Sequence, residues 1–487
     1  MTSLWASAYK LIKPLIQPPL VKPVFNIESV DWDNLITLDF ETYYSSEYTL
    51  RKLSTSEYIR DLQFEILMMG IKIGNDATRI IEKPNVEQIL KSIDWAKSSL
   101  LCHHTQFDGF ILSHYFGIQP KKRYCTLSMA RALHGSEISA GLDAVSKFYG
   151  GYGKTLSGTA DFKEMSFDLL KADSSKWANT SIYCTNDVDE TIRIFKEMLP
   201  KLPKEEIDLI NLTVQLFTDP VLVIDMVKVQ KELEREQNTK KQLLLSLLNT
   251  TKELATEELY EAARKKIGSN ESYAQLLRDR GVEPPIKKSV ATGKNIYAFA
   301  KSDLEFMDLL EHPNPEIQEL ANLRLSVKST LNETRAERFL KAGKNGWRLP
   351  VYLSYSAAHT LRWGGGNKMN MQNLERKGEL RRSIIAPPGY LIAAVDSSQI
   401  EARVNAWLWG QKDLLEAFKA SDAGTEQDVY CKFANLIYNR IITPEDSLER
   451  FVGKVCILGL GFQMGAAKLQ LTLASGLMGP PVIINLE

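Results

Sequence analysis

Acidic side chains occur in motifs at three points in the chain, where their carboxylates could share a metal ion. Asp39 and Glu41 come at the end of the apolar run Leu35–Leu38. Residues two apart on a β-strand share a face, so both carboxylates would point to one site. Because two neighbouring carboxylates repel each other unless a cation lies between them, this pair is a candidate cation site.

Two more acidic motifs follow. Asp108 ends the stretch His103-His104-Thr105-Gln106-Phe107-Asp108, just after the apolar pair Leu100–Leu101. Tyr183 and Asp187 are four residues apart, a spacing that stacks two side chains on one face of a helix. These three motifs, in this order, resemble those of the DEDDy exonucleases, the proofreading domains of replicative polymerases.

The resemblance implies a 3′–5′ exonuclease that uses two divalent ions. Hard carboxylate oxygens suit Mg²⁺ or Mn²⁺, and the ligands would be Asp39, Glu41, Asp108 and Asp187. Tyr183 would orient the attacking water. The sequence departs from the family pattern at His104, which stands where an asparagine usually helps to position the substrate.

Other interpretations of these residues are less specific. An isolated Asp-x-Glu at the end of a strand is ordinarily a solvated turn, so the exonuclease prediction depends on all three motifs occurring together. A histidine metal cluster is a further alternative, but satisfied or exposed histidines are commoner; the candidates are His103, His104, His114 and His134.

The stretch from Val395 to Arg403 resembles motif A of the A-family DNA polymerases. The pattern predicts a buried apolar strand, centred on Gly389–Asp396, followed at once by a helix. The resemblance implies that Asp396 ligates both catalytic ions and that Glu401 crowds a ribose 2′-hydroxyl. Ser398 followed by Glu401 is also a capping box, which leaves a structural role for Glu401 open. Ser397 replaces an aromatic that is usual in the family.

The stretch Arg450-Phe451-Val452-Gly453-Lys454 resembles the start of motif B. Arg450 and Lys454 would project from one helix face, and the resemblance implies that they grip the triphosphate of an incoming deoxynucleotide. Leu458 and Phe462 continue this face and would border the sugar and the template base. An Arg-x-x-x-Lys pattern without motif A before it is usually a solvated helix face.

Two further stretches resemble the primer–template contacts of the family. They run from His359 to Trp363 and from Asn370 to Asn373. The implied DNA-binding residues are Thr360, Arg362, Gln372 and Asn373. Three residues precede this region, namely Thr334, Arg335 and Arg338. They could contact the backbone of the DNA duplex or lie on an exposed charged helix, and both explanations are equally good.

The family completes its polymerase metal site, which holds two divalent ions, with a His-Asp-Glu motif beyond motif B. No histidine follows His359 in this sequence. We therefore expect an amino-terminal part of a polymerase that needs a complementing carboxy-terminal segment or chain for synthesis. The alternatives are a free-standing 3′–5′ exonuclease with a non-catalytic DNA-binding remnant, and a DNA-binding protein without activity.

Four regions must position these residues. We expect an α/β plus α fold: a leader (1–30), an RNase H-like exonuclease domain (31–200), a helical thumb-like region (201–350) and a partial palm and fingers (351–487). Periodicity predicts strands at Leu35–Leu38 and Ile66–Ile73 and helices at Thr180–Met198 and Met226–Leu248.

Composition sets broad limits on the class of protein. The chain has 487 residues, with 60 basic and 60 acidic side chains, so DNA binding would need a local basic groove. Its five cysteines lack any CxxC spacing, which indicates reduced thiols rather than zinc or disulfides. We expect a cytoplasmic protein without a membrane span, acting in the host cytoplasm if phage-encoded. Its partners would be primer–template DNA, single-stranded 3′ ends and deoxynucleoside triphosphates.

Overall fold

A computed structural model describes residues 30–153, 162–247, 256–289, 292–300, 303–328, 331–375, 378–476 and 482. Apart from its last residue, the predicted leader lies outside these ranges. Contacts divide the chain into two compact units, one made of Met1–Glu234 and Glu333–Ile392 and the other of Arg235–Asn332 and Ala393–Glu487. None of the described helices is long and apolar enough to cross a membrane.

The described strands are β1 (Leu35–Thr42), β2 (Ile66–Ile73), β3 (Arg79–Glu82), β4 (Ser99–Cys102), β5 (Lys122–Cys125), β6 (Val223–Ile224), β7 (Ile286–Lys288), β8 (Asn295–Tyr297), β9 (Leu353–Ser354), β10 (Gly364–Gly365) and β11 (Ile384–Ile385).

The described α-helices are α1 (Thr55–Ile59), α2 (Lys83–Lys91), α3 (Thr105–Phe110), α4 (Thr126–His134), α5 (Leu142–Phe148), α6 (Phe167–Ala172), α7 (Ser174–Met198), α8 (Lys204–Thr218), α9 (Met226–Leu247), α10 (Glu257–Gly268), α11 (Asn270–Arg278), α12 (Leu304–Met307), α13 (Pro315–Lys328), α14 (Leu331–Gly343), α15 (Glu379–Arg382), α16 (Ile400–Leu408), α17 (Lys412–Asp422), α18 (Val429–Tyr438), α19 (Ser447–Gly461) and α20 (Ala466–Ala474).

A five-stranded mixed sheet forms the centre of the first unit. Its strand order is β3-β2-β1-β4-β5; β1 pairs antiparallel with β2 and parallel with β4. The predicted strands at Leu35–Leu38 and Ile66–Ile73 are confirmed, and β1 continues four residues further than predicted. The predicted helix at Thr180–Met198 is confirmed within α7, and the one predicted at Met226–Leu248 is confirmed as α9 up to Leu247, with Leu248 outside the described residues.

Alternation along β1 gives the sheet two different faces. Ile36, Leu38 and Phe40 are buried in one apolar layer, and burial of each such side chain stabilises the fold by about 1.5–3 kcal/mol. Leu35 belongs to the core on the other side, which contains residues of α7 such as Phe195. The long helix α7 therefore covers the face of β1 that carries its odd-numbered residues.

The start of α7 is fixed by a side-chain cap. Asp173 accepts a hydrogen bond from the backbone N–H of Lys176 at 3.0 Å, which satisfies a donor that the first turn leaves without an intrahelical partner. Buried residues recur along α7, including Cys184, Val188 and Phe195. The helix is thus anchored at its end and along one face.

The second unit consists largely of helices. Residues of α10 to α13 form one apolar core, which includes Tyr273, Phe306 and Leu320. Helices α16 to α20 follow in the carboxy-terminal part of this unit, with smaller cores around Phe418 and Phe451.

The predicted buried strand at Gly389–Asp396 is wrong. No strand is assigned there, and Leu391 and Val395 are 98% and 95% exposed. A strand needs hydrogen bonds from a neighbouring strand, and none of the described strands pairs with this segment. The helix predicted to follow it is confirmed as α16.

Candidate functional sites

Strand β1 brings the first two predicted carboxylates to one face of the sheet. Asp39 and Glu41 are odd-numbered residues within β1, and Glu41 is only 8% exposed. Their face is the one that α7 covers. A buried carboxylate is costly unless a partner compensates its charge, so this pair requires cationic or hydrogen-bonding groups nearby.

Asp108 joins this pair from the start of α3. Its Oδ1 accepts a hydrogen bond from the backbone N–H of Phe40 at 3.2 Å, between the two carboxylate residues of β1. Burial raises the pKa of Asp108 well above its usual range, and the charge of Asp39 raises it further. Both effects follow from a position that is buried and near another carboxylate.

The chain turns sharply just before Asp108. His104 precedes α3 in the left-handed region with φ 94°, a conformation that bulky residues rarely adopt. Burial lowers the pKa of His104 to about 4, so this residue is neutral at pH 7. Its Nε2 lies 3.4 Å from the hydroxyl of Tyr352.

The four candidate histidines do not form a metal cluster. Among the described residues, no group of potential metal ligands contains a histidine. His103 lies 2.9 Å from the hydroxyl of Thr126, whereas His134 lies 3.0 Å from that of Tyr149. These two rings are therefore each placed beside a hydroxyl group of the protein.

Helix α7 carries the predicted site residues Tyr183 and Asp187, and also Cys184, which was not predicted. Asp187 is buried, and Tyr183 lies one turn before it. The Sγ of Cys184 lies 3.7 Å from the backbone oxygen of Asp39. Burial raises the pKa of the Cys184 thiol, and the charges of three carboxylates raise it further, those of Asp39, Glu41 and Asp187. Cys184 therefore lies among three of the four predicted ligands.

Gly70 makes the close packing of α7 against the sheet possible. It lies opposite Asp39 in the pairing of β1 with β2. A Cβ at this position would stand 2.8 Å from Sγ of Cys184 and 3.0 Å from Cγ2 of Val188. Sequence reasoning missed both Gly70 and Cys184, because only the strand register and the helix contact reveal them.

The donor set of this site fits a divalent cation. One atom from each of Asp39, Glu41 and Cys184 lies within 4.8 Å of the others. Asp108 and Asp187 add two further carboxylates within electrostatic reach. Hard oxygen ligands dominate this set, as Mg²⁺ and Mn²⁺ require, and a bound cation would offset the repulsion between the carboxylates.

A second group of predicted residues lies on helices α16, α18 and α19 of the second unit. Arg450 and Lys454 are one turn apart on α19, and both are partly exposed. Leu458 packs partly against the core around Phe418. Phe462 follows the last residue of α19 and is 70% exposed, so the predicted helix face reaches Leu458 and ends before Phe462.

Arg450 has an unforeseen partner. Its Nε lies 2.5 Å from Oδ2 of Asp428, and its Nη2 forms an ion pair with the same oxygen. Asp428 directly precedes α18. No sequence motif had identified Asp428, which lies 22 residues before Arg450.

The other motif A predictions need two corrections. Asp396 lies in the exposed segment before α16 rather than at the end of a buried strand. The capping box is wrong, because the N-cap of α16 is Gln399 in the left-handed region, without a side-chain cap. Helix α16 therefore starts too late for Ser398 to cap it. Glu401 lies in its first turn and is partly exposed.

The predicted DNA contacts lie on the surface of the first unit, and all four side chains are exposed: Thr360, Arg362, Gln372 and Asn373. Gln372 donates from Nε2 to the backbone oxygen of Trp363 at 3.1 Å. Trp363 in turn donates to the hydroxyl of Thr213 on α8 at 3.0 Å. These bonds attach the two predicted DNA-contact stretches to each other and to the unit that contains the sheet.

Two arginines of α14 have partners within the protein. Arg338 forms an ion pair with Glu57 at 2.6 Å, and their side chains are 19% and 12% exposed. Arg335 donates to the backbone oxygen of Asn373 at 3.0 Å. Arg338 is thus neither on an exposed charged helix face nor available to DNA without loss of its ion pair.

Comparison with known proteins identifies several relatives. Residues 237–476 match the family model described as DNA polymerase family A. The DNA polymerase of Escherichia phage T5 is 21% identical over 435 residues, which are 82% of this chain and 49% of that protein. The DNA polymerase of Bacillus phage SP02 is 24% identical, over 89% of this chain and 70% of that protein. The chain therefore spans about half the length of the T5 polymerase that it matches.

A bacterial relative and a solved structure agree with the family match. The thermostable DNA polymerase I of Thermus aquaticus is 27% identical over 214 residues, 43% of this chain and 24% of that protein. The POL domain of Pol1 from M. smegmatis, in complex with DNA primer-template and dNTP, matches with a TM-score of 0.56 and 15% identity, covering 90% of this chain and 69% of that one. This likeness shows a shared mixed α/β polymerase-domain fold, and residues 237–476 of the chain are similar to DNA polymerase family A.

Proposed function

We propose that this protein is a DNA-directed DNA polymerase with a 3′–5′ proofreading exonuclease, acting in DNA replication. Its substrates are primer–template DNA, deoxynucleoside triphosphates and single-stranded 3′ ends, and it acts in the cytoplasm. The observation that carries the polymerase assignment is the family A match over residues 237–476. That range contains the predicted nucleotide-site residues, namely Asp396, Glu401, Arg450, Lys454, Leu458 and Phe462.

The exonuclease assignment depends on the carboxylates around β1. Asp39 and Glu41 share a strand face, Asp108 binds the backbone between them, and Asp187 approaches from α7. Four carboxylates at one buried place are expected to bind cations rather than to stabilise the fold. The mixed sheet with order β3-β2-β1-β4-β5 is compatible with the RNase H-like domain that the sequence resemblance implies.

The residues divide the exonuclease reaction between them. Divalent ions held by the four carboxylates would supply Lewis-acid activation of water and charge neutralisation at the leaving 3′ oxygen. Tyr183 orients the attacking water.

In the proposed fingers, Lys454 and Arg450 bind the triphosphate, and Lys454 neutralises charge on the departing pyrophosphate.

Synthesis needs ligands beyond Asp396. In the described part of the chain, no group of three or more potential metal-binding side chains includes Asp396, and the segment around it pairs with no described strand. One carboxylate is too few for two divalent ions. We propose that a complementing carboxy-terminal segment or chain supplies the remaining ligands.

Two assays test the proposal. Wild type with Mg²⁺ should shorten a labelled single-stranded DNA from its 3′ end, and Asp39→Ala should not. Equal degradation by both would exclude the exonuclease site.

In the second assay, the chain should extend a primed template only together with a fragment that carries the His-Asp-Glu motif. Extension by the chain on its own would refute the need for complementation, and no extension with the fragment would favour the free-standing exonuclease.

A further inference from the structure

The carboxylate of Asp428 joins three helices that carry the proposed nucleotide site. Its Oδ2 holds the guanidinium of Arg450 on α19, through Nε at 2.5 Å and through Nη2. Its Oδ1 accepts from the backbone N–H of Tyr430 at 2.9 Å, in the first turn of α18. The same Oδ1 accepts from Nε2 of Gln399 at 2.9 Å, directly before α16.

We propose that Asp428 is a positioning residue of the nucleotide site, which fixes the Arg450 guanidinium and the start of the helix that carries Glu401. This inference rests on the proposed function, because it assigns a partner to the predicted triphosphate-binding arginine. Asp428 acts through Arg450 and Gln399 and does not contact the nucleotide itself.

The geometry of the guanidinium supports this role. Arginine has five N–H donors in a planar fork, and Asp428 engages the edge formed by Nε and Nη2. Arg450 also lies over the ring of Tyr430, with Cζ 5.5 Å from the ring centroid. These two contacts fix one edge and the plane of the Arg450 guanidinium, so its remaining N–H groups point in a set direction. The conformational entropy of the side chain is therefore lost before a phosphate binds.

Tyr430 lies between the Asp428–Arg450 pair and Glu401 in electrostatic terms. Burial raises the pKa of Tyr430, and the charges of Asp428 and Glu401 raise it further. Tyr430 thus lies within electrostatic reach of both carboxylates. Because Gln399 immediately precedes α16, its bond to Asp428 sets where the first turn of that helix, which contains Glu401, begins.

A matched ion pair of the same unit serves as the control. Arg403 on α16 binds Asp422 through two bonds of 2.7 Å each, and neither residue belongs to the proposed nucleotide-binding set. Asp422→Asn removes a carboxylate from an arginine in the same way as Asp428→Asn. The Asn variant at 428 keeps an oxygen that can accept from Tyr430 and Gln399.

Binding of Mg²⁺–dATP to the full chain with a primer–template, measured by equilibrium dialysis, tests the proposal without any need for synthesis. Asp428→Asn and Asp428→Ala should weaken binding about tenfold, the size of coupling expected between contacting charged residues. Asp422→Asn should bind as wild type does. In an Arg450→Ala background, Asp428→Asn should have no further effect, because the Asn oxygen can still accept from Tyr430 and Gln399 and only the hold on Arg450 is lost.

The possible outcomes separate this inference from the proposed function. Wild-type or tighter binding by Asp428→Asn, with weak binding by Arg450→Ala, would overturn the positioning role alone. An equal loss in the Arg450→Ala background would overturn it too, since a general structural defect does not depend on Arg450. If wild type bound no nucleotide, or Arg450→Ala bound normally, the nucleotide site itself would fail and the positioning role with it. Thermal unfolding of each variant shows whether a loss of nucleotide binding is due to misfolding. In that case Asp428→Asn would be compared with Asp428→Glu, which keeps the carboxylate and should restore binding.

Discussion

Gly70 and Cys184 fit together across the boundary between the sheet and helix α7, and a Cβ on Gly70 would lie 2.8 Å from the cysteine sulfur. Gly70 also lies opposite Asp39 in the register of β1 and β2. The helix that carries Tyr183 and Asp187 can therefore approach the carboxylates of β1 only because residue 70 has no side chain.

Replacement of Gly70 by alanine should displace α7 and weaken the exonuclease. Overpacking of this kind typically costs about 1–3 kcal/mol of folding free energy, and small displacements of catalytic groups reduce rates strongly. We expect a lower free energy of unfolding in urea and a 3′–5′ exonuclease rate at least about tenfold lower. The added Cys184→Ala change should recover part of both losses, since it removes the closest atom.

Gly268→Ala is the matched control for this change. Apart from the neighbouring residues and the backbone of α10 itself, no described atom lies within 4 Å of a Cβ built there, so this variant should keep wild-type stability and activity. Wild-type exonuclease activity in a folded Gly70→Ala variant would show that the spacing of α7 is not critical.

The sequence predicted the parts of this site that follow from local patterns. The apolar run and its alternation predict β1 and the shared face of Asp39 and Glu41, and the four-residue spacing predicts that Tyr183 and Asp187 lie on one helix. Cys184 and Gly70 could not be predicted, since their importance arises from contact between a strand and a distant helix.

The failed predictions have a related cause. The apolar segment before Asp396 has the pattern of a buried strand, but pattern does not supply the neighbouring strand that such a segment needs. Similarly, the helical spacing of Arg450 and Lys454 was correctly read, whereas the ion pair between Arg450 and Asp428 depends on how α18 packs against α19. Long-range packing therefore decides where these side chains are held.

Divalent ions should stabilise the protein through the carboxylates around β1. An ion at tenfold excess over its dissociation constant adds about 1.4 kcal/mol to the free energy of unfolding when it binds only the folded state. Titration with Mn²⁺ should raise the midpoint of thermal unfolding of wild type. Asp39→Asn should lose most of this shift while becoming no less stable without metal, because it removes one of the mutually repelling charges. Identical Mn²⁺-dependent shifts in both proteins would argue against metal binding at Asp39.

The two aspartates at positions 187 and 189 of α7 should differ sharply in their importance for the exonuclease. Asp187 is buried and, like Asp39 and Glu41, lies within electrostatic reach of Cys184. Asp189 instead accepts hydrogen bonds from Lys72 at 3.2 Å and Thr78 at 2.6 Å. Asp187→Ala should reduce the rate by about a hundredfold or more, in keeping with removal of a transition-state interaction worth roughly 3 kcal/mol. Asp189→Ala should keep the rate within about threefold, because its partly exposed ion pair stabilises the fold only weakly. Comparable losses in both variants would indicate that general damage to α7, rather than metal binding, explains the effect.

Arg338 offers a test of whether α14 binds DNA or only stabilises the first unit. Its ion pair with Glu57 is largely buried. Loss of Arg338 leaves Glu57 with the longer ion pair to Lys341 at 3.6 Å, so the cost should be below the ~3–5 kcal/mol typical of a buried pair that loses one partner. Arg338→Ala should therefore lower the thermal midpoint. Arg338→Ala with Glu57→Gln should recover part of that loss, since it removes a carboxylate that has lost its closer cation while the Gln oxygen can still accept from Ser54. The affinity for primer–template DNA should stay within about twofold of wild type, measured by fluorescence anisotropy at fixed salt and at a temperature below the unfolding transition.

The control is Arg362→Ala, a change of an exposed residue proposed to bind DNA. It should weaken DNA binding while leaving the thermal midpoint unchanged. If Arg338→Ala instead reduced DNA affinity as Arg362→Ala does, and the double variant did not regain stability, the arginine would be a DNA contact and its pairing with Glu57 incidental.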